Sequence, residues 1–567
     1  MVDVAHEIIK KFPKLEEKPS IIKKPLIKIA QKIIHEDKIN DFLNASKHLQ
    51  GFEFVDAVLE YFKFDFSYSN NDLENIPSTG KVVIIANHPL GGLDALCLLK
   101  LVGKIRKDVK IVANDFLAGV DSLDSIFIKI DNFKKKQSKE NIKKIYEALH
   151  HEEAIIIFPA GEVSRISPYG IRDGKWQKGF LKFASRTNAP IVPILLDAKN
   201  SKTFYTLSML NKTFSTLLLS DEMFKQKSKN IKIKIGKIIP HDHIVPTGIA
   251  DIYLPNLYKK HLYGLKKGKN LLFQTQNAIA HGENKQDLKR ELKKAQILGR
   301  TADGKIIYLF CYQADSSVIK EIGRLREISF RKVNEGVNKK RDVDIYDIHY
   351  KHIILWDEEA LEIIGAYRIA VGAEVLDKYG VDGFYTHTLF NLNESFFPYL
   401  KDAIELGRSF VQPKYWGSRA LDYLWYGIGA YLKNNPNIKY MYGPVSLSAA
   451  LPLVAKELII SFYSIYFGTY SKLITPTNPY KPTMENKELI DIFTKSHYQE
   501  DFKTLRRTLR NMNIAIPVLY KQYSDLCEDG GVYFHGFNID PNFSNCVDGF
   551  IMVEISKIKE SKKKYLS

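Results

Sequence analysis

The chain is 567 residues long, too long for one compact core, so two domains are expected. Apolar residues make up 45% of it and charged residues 26%, the balance of a folded chain, which excludes a disordered one. A formal charge of +18 points to anionic partners: nucleic acid, lipid headgroups and acidic carrier proteins all remain open on charge alone.

The amino terminus, MVDVAHEIIKKFPKLEEKP, has no uninterrupted apolar run ahead of a small-residue cleavage site, so no secretory signal is read there. Residues 1–75 place Ile21, Ile22, Leu26, Ile29, Ala30, Ile33 and Ile34 at helical spacing among lysines. They predict a helical segment whose exposed face is either solvated or apposed to an anionic membrane surface.

From Lys81 short apolar runs alternate with helical stretches: Val82–Ala86, Val109–Ala113, Ile155–Phe158, Ile191–Leu196 and Ile231–Ile235. This alternation predicts an α/β domain over 76–255. The basic stretch 256–300, with HGENKQDLKRELKKAQ at its most polar, is expected to be a helical linker.

A second, α+β domain is expected over 301–567, with strands near Lys305–Tyr312, His352–Trp356 and Ile363–Ala370 and a helix at Arg419–Leu432. The apolar run Leu458–Ser471, bounded by Glu457 and Lys472, is expected to be buried core. No uncharged apolar run reaches the ~20 residues of a spanning helix, so membrane contact is expected to be peripheral. Lysines cluster at Lys134–Lys136 with Lys139, Lys143 and Lys144, and again at Lys562–Lys564. Cys97, Cys311, Cys527 and Cys546 are far apart and lack metal-ligand spacing, so neither disulfides nor a metal site is expected, and a reducing cytoplasm fits.

The run Val82–Ala86 leads straight into Asn87-His88-Pro89-Leu90-Gly91-Gly92-Leu93-Asp94. A His at a strand exit and an Asp in the next helical turn can meet across a Gly-Gly loop, the Asp orienting an imidazole that takes a proton from an acceptor hydroxyl. A His beside a turn is also a common structural hydrogen-bond partner, so the surrounding blocks decide its meaning.

With those blocks, residues 80 to 240 resemble the glycerolipid O-acyltransferases. His88 and Asp94 match the catalytic block, Phe127-Ile128-Lys129 the second, Phe158-Pro159-Ala160-Gly161-Glu162 the third and Ala189-Pro190-Ile191-Val192-Pro193 the fourth. The resemblance implies metal-free acyl transfer from a thioester to a hydroxyl, catalysed by His88 and Asp94. Asn87, Gly91, Gly92, Phe158, Pro159, Gly161, Glu162 and Arg165 would then lie around the substrate. Two departures stand out: five residues rather than four separate His88 from Asp94, and the third block reads FPAGEVSR where the family has FPEGTRS. The altered third block points to an acceptor other than glycerol phosphate.

In the second half, Arg326 and Phe330 lie one helical turn apart, Asp344 and Asp347 follow in an acidic segment, Tyr367-Arg368 is placed at a strand end, and Glu405-Leu406-Gly407-Arg408-Ser409-Phe410 comes later. Ionised groups beside apolar strands predict a paired network. Arg326, Phe330, Asp344, Asp347, Arg368, Glu405 and Arg408 follow an ordered pattern similar to bacterial N-acyltransferases of the acetyltransferase (GNAT) superfold, the branch of ornithine-lipid synthases and acyl-homoserine-lactone synthases. The resemblance implies that an α-amine attacks an acyl thioester, with Glu405 as proton acceptor, the arginines ordering the acidic loop or binding the acceptor carboxylate, and Ser409 near the substrate. The stretch Gln412–Ser418 has one glycine and bulky rings where acetyl-CoA enzymes bind pyrophosphate, which favours acyl carrier protein over coenzyme A as donor.

Together the two resemblances, which match bifunctional ornithine-lipid synthases, imply an enzyme of phosphorus-free aminolipid synthesis. It would N-acylate ornithine, lysine or glycine and then O-acylate the hydroxyacyl product, without a tightly bound cofactor, on the cytoplasmic side of a bacterial inner membrane. Its expected partners are acyl carrier protein, the membrane surface, the amino acid and the mono-acylated lipid. The competing readings are a lysophospholipid acyltransferase fused to an inactive module and a haemolysin-type lytic or scaffold protein. Basic residues are not interleaved with aromatics as a nucleic-acid groove requires, so no nucleic-acid partner is expected.

Overall fold

A computed structural model describes residues 3–11, 16–113, 120–129, 139–210, 218–245, 249–269, 271–469, 471–483 and 492–565. The Lys134–Lys136 cluster lies outside the described residues. The chain forms two units, residues 1–280 and 281–567.

The first unit is built on strands β1 (Asp65–Ser67), β2 (Val82–Ala86), β3 (Val109–Ala113), β4 (Phe127–Lys129), β5 (Ala154–Ile157), a small hairpin β6 (Arg165–Ser167) and β7 (Gly170–Arg172), β8 (Ile191–Asp197) and β9 (Asn230–Ile235). All but the hairpin join one sheet in the order β1-β9-β8-β2-β5-β3-β4. Its central strands are parallel, and β9 runs antiparallel to β8. In β2, Val82, Ile84 and Ala86 enter one core while Val83 and Ile85 enter the other. Layers on both faces explain why the strand is an unbroken apolar run. The sheet places β5 and β8 on opposite sides of β2, so the carboxyl end of β2 opens at a topological switch point, the usual location of a ligand crevice in such sheets.

Residues 1–75 do not stand apart as a segment. The helix Gly51–Tyr61 buries Phe54, Val55, Val58 and Leu59 in the core, and β1 pairs with β9. The helix Ser20–Ile34 is different, because Ile21, Ile22, Leu26 and Ile29 are exposed.

The expected linker 256–300 is divided between the units. The helix Leu254–Gly264 buries Tyr258 and Leu262 in the first, whereas the helix Lys285–Leu292 and the strand that follows belong to the second. Apolar residues spaced one turn apart among the lysines give each piece a face to bury, which overall polarity concealed.

The second unit contains β10 (Gln296–Arg300), β11 (Ile306–Cys311), β12 (Lys351–Asp357), β13 (Glu362–Val371), β14 (Phe390–Leu392), β15 (Ala403–Val411), β16 (Tyr440–Leu447), β17 (Ile474–Pro476), β18 (Val532–Asp540) and β19 (Cys546–Glu554). Eight of these form a sheet in the order β10-β11-β12-β13-β15-β16-β19-β18. Only β15 and β16 pair in parallel, through Ala403–Tyr440, Ile404–Met441 and Glu405–Tyr442, after which both strands continue unpaired with each other. One face packs on the helices Ala420–Asn434 and Leu453–Phe467. The other face carries the helix Ser317–Lys332 and an aromatic cluster that includes Tyr350, Tyr442 and Phe550. Tyr367 and Arg368 sit inside the ten-residue β13, not at its end, beside a register shift against β15. Leu458, Ile459, Phe462 and Tyr463 are buried in the core. Among the described residues no helix is long and apolar enough to cross a membrane.

Candidate active sites

At the exit of β2 the Asn87 side chain bonds both backbone groups of Leu196 on β8, at 2.9 and 2.8 Å, fixing the strand end against its neighbour. Gly91 then adopts φ 101°, which turns the chain into the helix Gly92–Gly103. Asp94, in the first turn, is fully buried. Its Oδ1 lies 3.1 Å from His88 Nδ1, and its Oδ2 accepts the Leu90 N–H at 2.7 Å. The His88 ring is stacked on Phe158, which follows β5, with centroids 4.1 Å apart.

A second carboxylate, missed in the sequence, secures the loop. Asp173 accepts the His88 N–H at 3.2 Å, the Ser164 hydroxyl at 2.5 Å and the Trp176 indole N–H at 2.9 Å. Burial pushes its pKa up, against these hydrogen bonds. For His88, burial works to lower the pKa, but the charge and hydrogen bonding of Asp94, with the charge of Asp173, outweigh it and leave the pKa raised. The arrangement suits a base that takes a proton from a hydroxyl and is steadied when it becomes positive.

Gly161 has φ 66° in the turn after Phe158 and Pro159. Glu162 and Arg165 approach to 3.4 Å, and Arg165 lies over the Phe204 ring. Among the described residues no cluster that could hold a metal ion is present.

In the second unit the ionised residues form one buried network. Arg326, on the helix Ser317–Lys332, meets Asp347 at 2.8 Å, and Arg368 on β13 meets Asp344 at 2.5 Å and Asp347 at 3.2 Å. Asp344 and Asp347 cap the short turn Ile345–Ile348 reciprocally, which ties the arginines to the loop geometry. Burial opposes ionisation of Asp347, but Arg326, Arg368 and His352 hold its carboxyl well below the usual range. His352 is pushed down to about 3, chiefly by burial, and is therefore neutral at physiological pH. Arg408, in a bulge with φ 48°, lies 3.3 Å from Asp342 and stacks on Tyr385 and Phe543.

Glu405 projects from β15 toward the aromatic cluster. It accepts the Thr386 N–H at 3.2 Å and the Tyr442 hydroxyl at 3.4 Å. Burial raises its pKa to about 7, against the charge of Arg368 and hydrogen bonds from Thr386 and Tyr350.

A cavity opens where β15 and β16 part. Leu406, Gly407, Arg408 and Ser409 line it from β15, and Pro444, Val445 and Ser446 from β16. Phe330, Tyr385 and Phe543 close it on one face of the sheet, and Tyr367 and Tyr523 on the other. Among the residues read from the sequence, Phe330, Arg408 and Ser409 thus reach the cavity. Arg326, Asp344, Asp347 and Arg368 form the network beside it, and Glu405 sits one residue before the lining stretch.

The sequence reading missed Asp342, His352, Tyr385, Phe543 and Asp548. Asp342 stands in the acidic run already noted. Asp548 is the charged residue inside the strand CVDGFIMVE, whose other charge, Glu554, stands at its end, a signal that was available.

An acyltransferase family pattern matches residues 14–268, and the acetyltransferase (GNAT) domain pattern matches residues 325–426. The glycine N(alpha)-acyltransferase of Phocaeicola vulgatus is 35% identical over 293 residues, covering 49% of this chain and 89% of that protein. The lyso-glycine lipid O-acyltransferase of Bacteroides thetaiotaomicron is 33% identical over 247 residues, covering 42% of this chain and 89% of that protein. The L-ornithine N(alpha)-acyltransferase of Brucella abortus is 31% identical over 144 residues, covering 24% of this chain and 49% of that protein. With nearly the full length of the first two relatives matched, the chain belongs to the acyltransferases, and it joins an acyltransferase domain and a GNAT domain in one polypeptide.

Proposed function

We propose that this acyltransferase makes a phosphorus-free diacyl aminolipid in two steps. The second unit transfers an acyl group from a thioester to the α-amine of an amino acid, and the first unit then acylates a hydroxyl of that product. The observation that carries the reading is the pairing of near-full-length likenesses in one chain: an N-acyltransferase of glycine and an O-acyltransferase of a lyso-glycine lipid. Glycine is therefore the first acceptor to try, with ornithine and lysine next.

In the first step Glu405 takes the amine proton, directly or through a water, and a backbone amide at the parted β15 polarises the thioester carbonyl. Arg326, Arg368, Asp344 and Asp347 hold the loop, Arg408 faces the acceptor, and Phe330 and Ser409 flank the acyl group. In the second step His88, oriented by Asp94, takes the hydroxyl proton. Phe158 walls its ring, while Asn87, Pro159 and the glycines Gly91, Gly92 and Gly161 set the loops and Glu162 with Arg165 meets the acceptor.

Acyl carrier protein is the proposed donor. Where a pyrophosphate loop would lie, Lys414 and Tyr415 both bond Glu362, and the Trp416 indole donates to the Val411 carbonyl at 2.8 Å. The exposed apolar stripe of the helix Ser20–Ile34 is the proposed contact with the cytoplasmic face of the inner membrane.

The test is expression in a bacterium lacking aminolipids, followed by lipid mass spectrometry. A new ninhydrin-positive, phosphorus-free diacyl species is expected; its absence alongside a soluble, folded protein would overturn the proposal.

A further inference from the structure

The cavity between β15 and β16 is lined by charges of both signs. Arg408 enters from β15, Asp548 from β19, and Glu335 from the loop after the helix Ser317–Lys332. Asp548 lies directly across from Ser446 on β16 and from Asn538 on β18, so its side chain is on the same sheet face as Glu405. It is 4% exposed, and among the described residues it has neither a hydrogen bond nor an ion pair. The other buried acids of this face are engaged: Asp540 accepts from the Tyr385 hydroxyl at 3.2 Å and Glu405 from Thr386 and Tyr442.

A buried carboxylate without a partner costs free energy and needs a compensating role. An amino acid presents an ammonium and a carboxylate a few bonds apart, which matches one acid and one guanidinium lining the same small space.

We infer that Asp548 is the binding residue for the acceptor's ammonium, with Arg408 receiving its carboxylate, so that the amino acid enters the strand gap from the sheet face that carries Glu405 and meets there the acyl group flanked by Phe330 and Ser409. The inference rests on the reading of the second unit as an amino-acid N-acyltransferase and assigns the acceptor half of that site. Burial, with the charges of Asp540 and Glu335, holds the Asp548 pKa well above the carboxylate range, and Arg408 opposes this. Glu335 is likewise pushed up to about 7 by burial, against a hydrogen bond from Ser446. Tyr385, Ser446, Asn538 and Tyr520 are the other polar groups around Asp548. An arriving ammonium supplies the missing countercharge, so binding displaces a proton from this acid pair to solvent.

The experiment uses the full-length protein, with glycine, ornithine and lysine as acceptors and an acyl thioester as donor. Asp548→Asn is expected to raise the acceptor KM about 10- to 100-fold, the range for losing a hydrogen bond to a charged group, and to leave the donor KM and the O-acylation of a mono-acyl lipid unchanged. Calorimetric titration of the wild-type protein with the acceptor in buffers of different ionisation enthalpy should show proton release. An unchanged acceptor KM in Asp548→Asn, or binding to the wild-type protein without proton release, overturns the inference while the N-acyltransferase reading stands. Failure of the wild-type protein to N-acylate any of the three amino acids overturns that reading and this one with it.

Discussion

Asp94 does two things for His88: one oxygen lies 3.1 Å from its Nδ1, and the other accepts the Leu90 N–H that shapes the turn carrying it. His88→Ala is therefore expected to lower O-acyl transfer about 10²- to 10⁴-fold, the usual contribution of a positioned base. N-acyl transfer should be retained, so lipid extracts should accumulate the mono-acyl intermediate. Equal loss of both activities would contradict separate sites.

The raised pKa of His88 bears on the acid limb expected for O-acyl transfer. With the neutral ring as the proposed base, the rate should fall as pH drops through a midpoint above the ordinary histidine value of about 6.5. Asp94→Asn removes the largest raising influence, and its residual activity should show that midpoint at lower pH. Rate–pH profiles of purified protein on a mono-acyl lipid give both values.

Gly91 has room for a methyl group, Val163 being 3.5 Å from the position of an added Cβ, but its φ of 101° is strained for any other residue. Gly91→Ala should therefore cost about 1–3 kcal/mol locally and slow O-acyl transfer at least about tenfold by moving His88 away from Asp94. Kinetics paired with a melting curve separate the two effects.

Glu405 should show its burial as a pH-dependent stability cost. The folded protein holds the Glu405 proton to about pH 7, whereas the unfolded chain releases it near 4.5, so the contribution of this residue worsens as pH rises between those values. Glu405→Gln should abolish N-acyl transfer, be neutral at pH 4 and gain stability on the order of 3 kcal/mol by pH 8. Denaturant melts at the two pH values measure the difference.

Arg326 and Asp347, each 1% exposed, form a pair whose disruption leaves a buried charge. Arg326→Ala should destabilise the second unit by about 3–5 kcal/mol and leave O-acyl transfer by the first unit intact. Calorimetry alongside both assays reads this directly.

The first site was largely legible because its pieces are local: His88, Gly91 and Asp94 share one strand–turn–helix, and each strand read from an apolar run is present. Asp173 was not legible, because it reaches the His88 backbone across 85 residues. In the second unit the ordered charges gave the network but not its neighbours. Asp548, Phe543 and Tyr523 come from the stretch after 455 that held no recognisable motif; the first two meet the cavity because β18 and β19 complete the sheet beside β16, and Tyr523 reaches it from the helix Val518–Ser524. The divided stretch 256–300 fails for a related reason: a polar surface helix and a linker look alike until something covers the few apolar residues.

Among the described residues, the ladder between the five-strand plate β10-β11-β12-β13-β15 and the three-strand plate β16-β19-β18 has three residue pairs. A molecule seated in the opening touches both plates and acts as a temporary rung of the ladder. Amide hydrogens on β16 and β19 should then exchange more slowly when the opening is occupied, making the weakest join in the sheet a gauge of whether it is loaded.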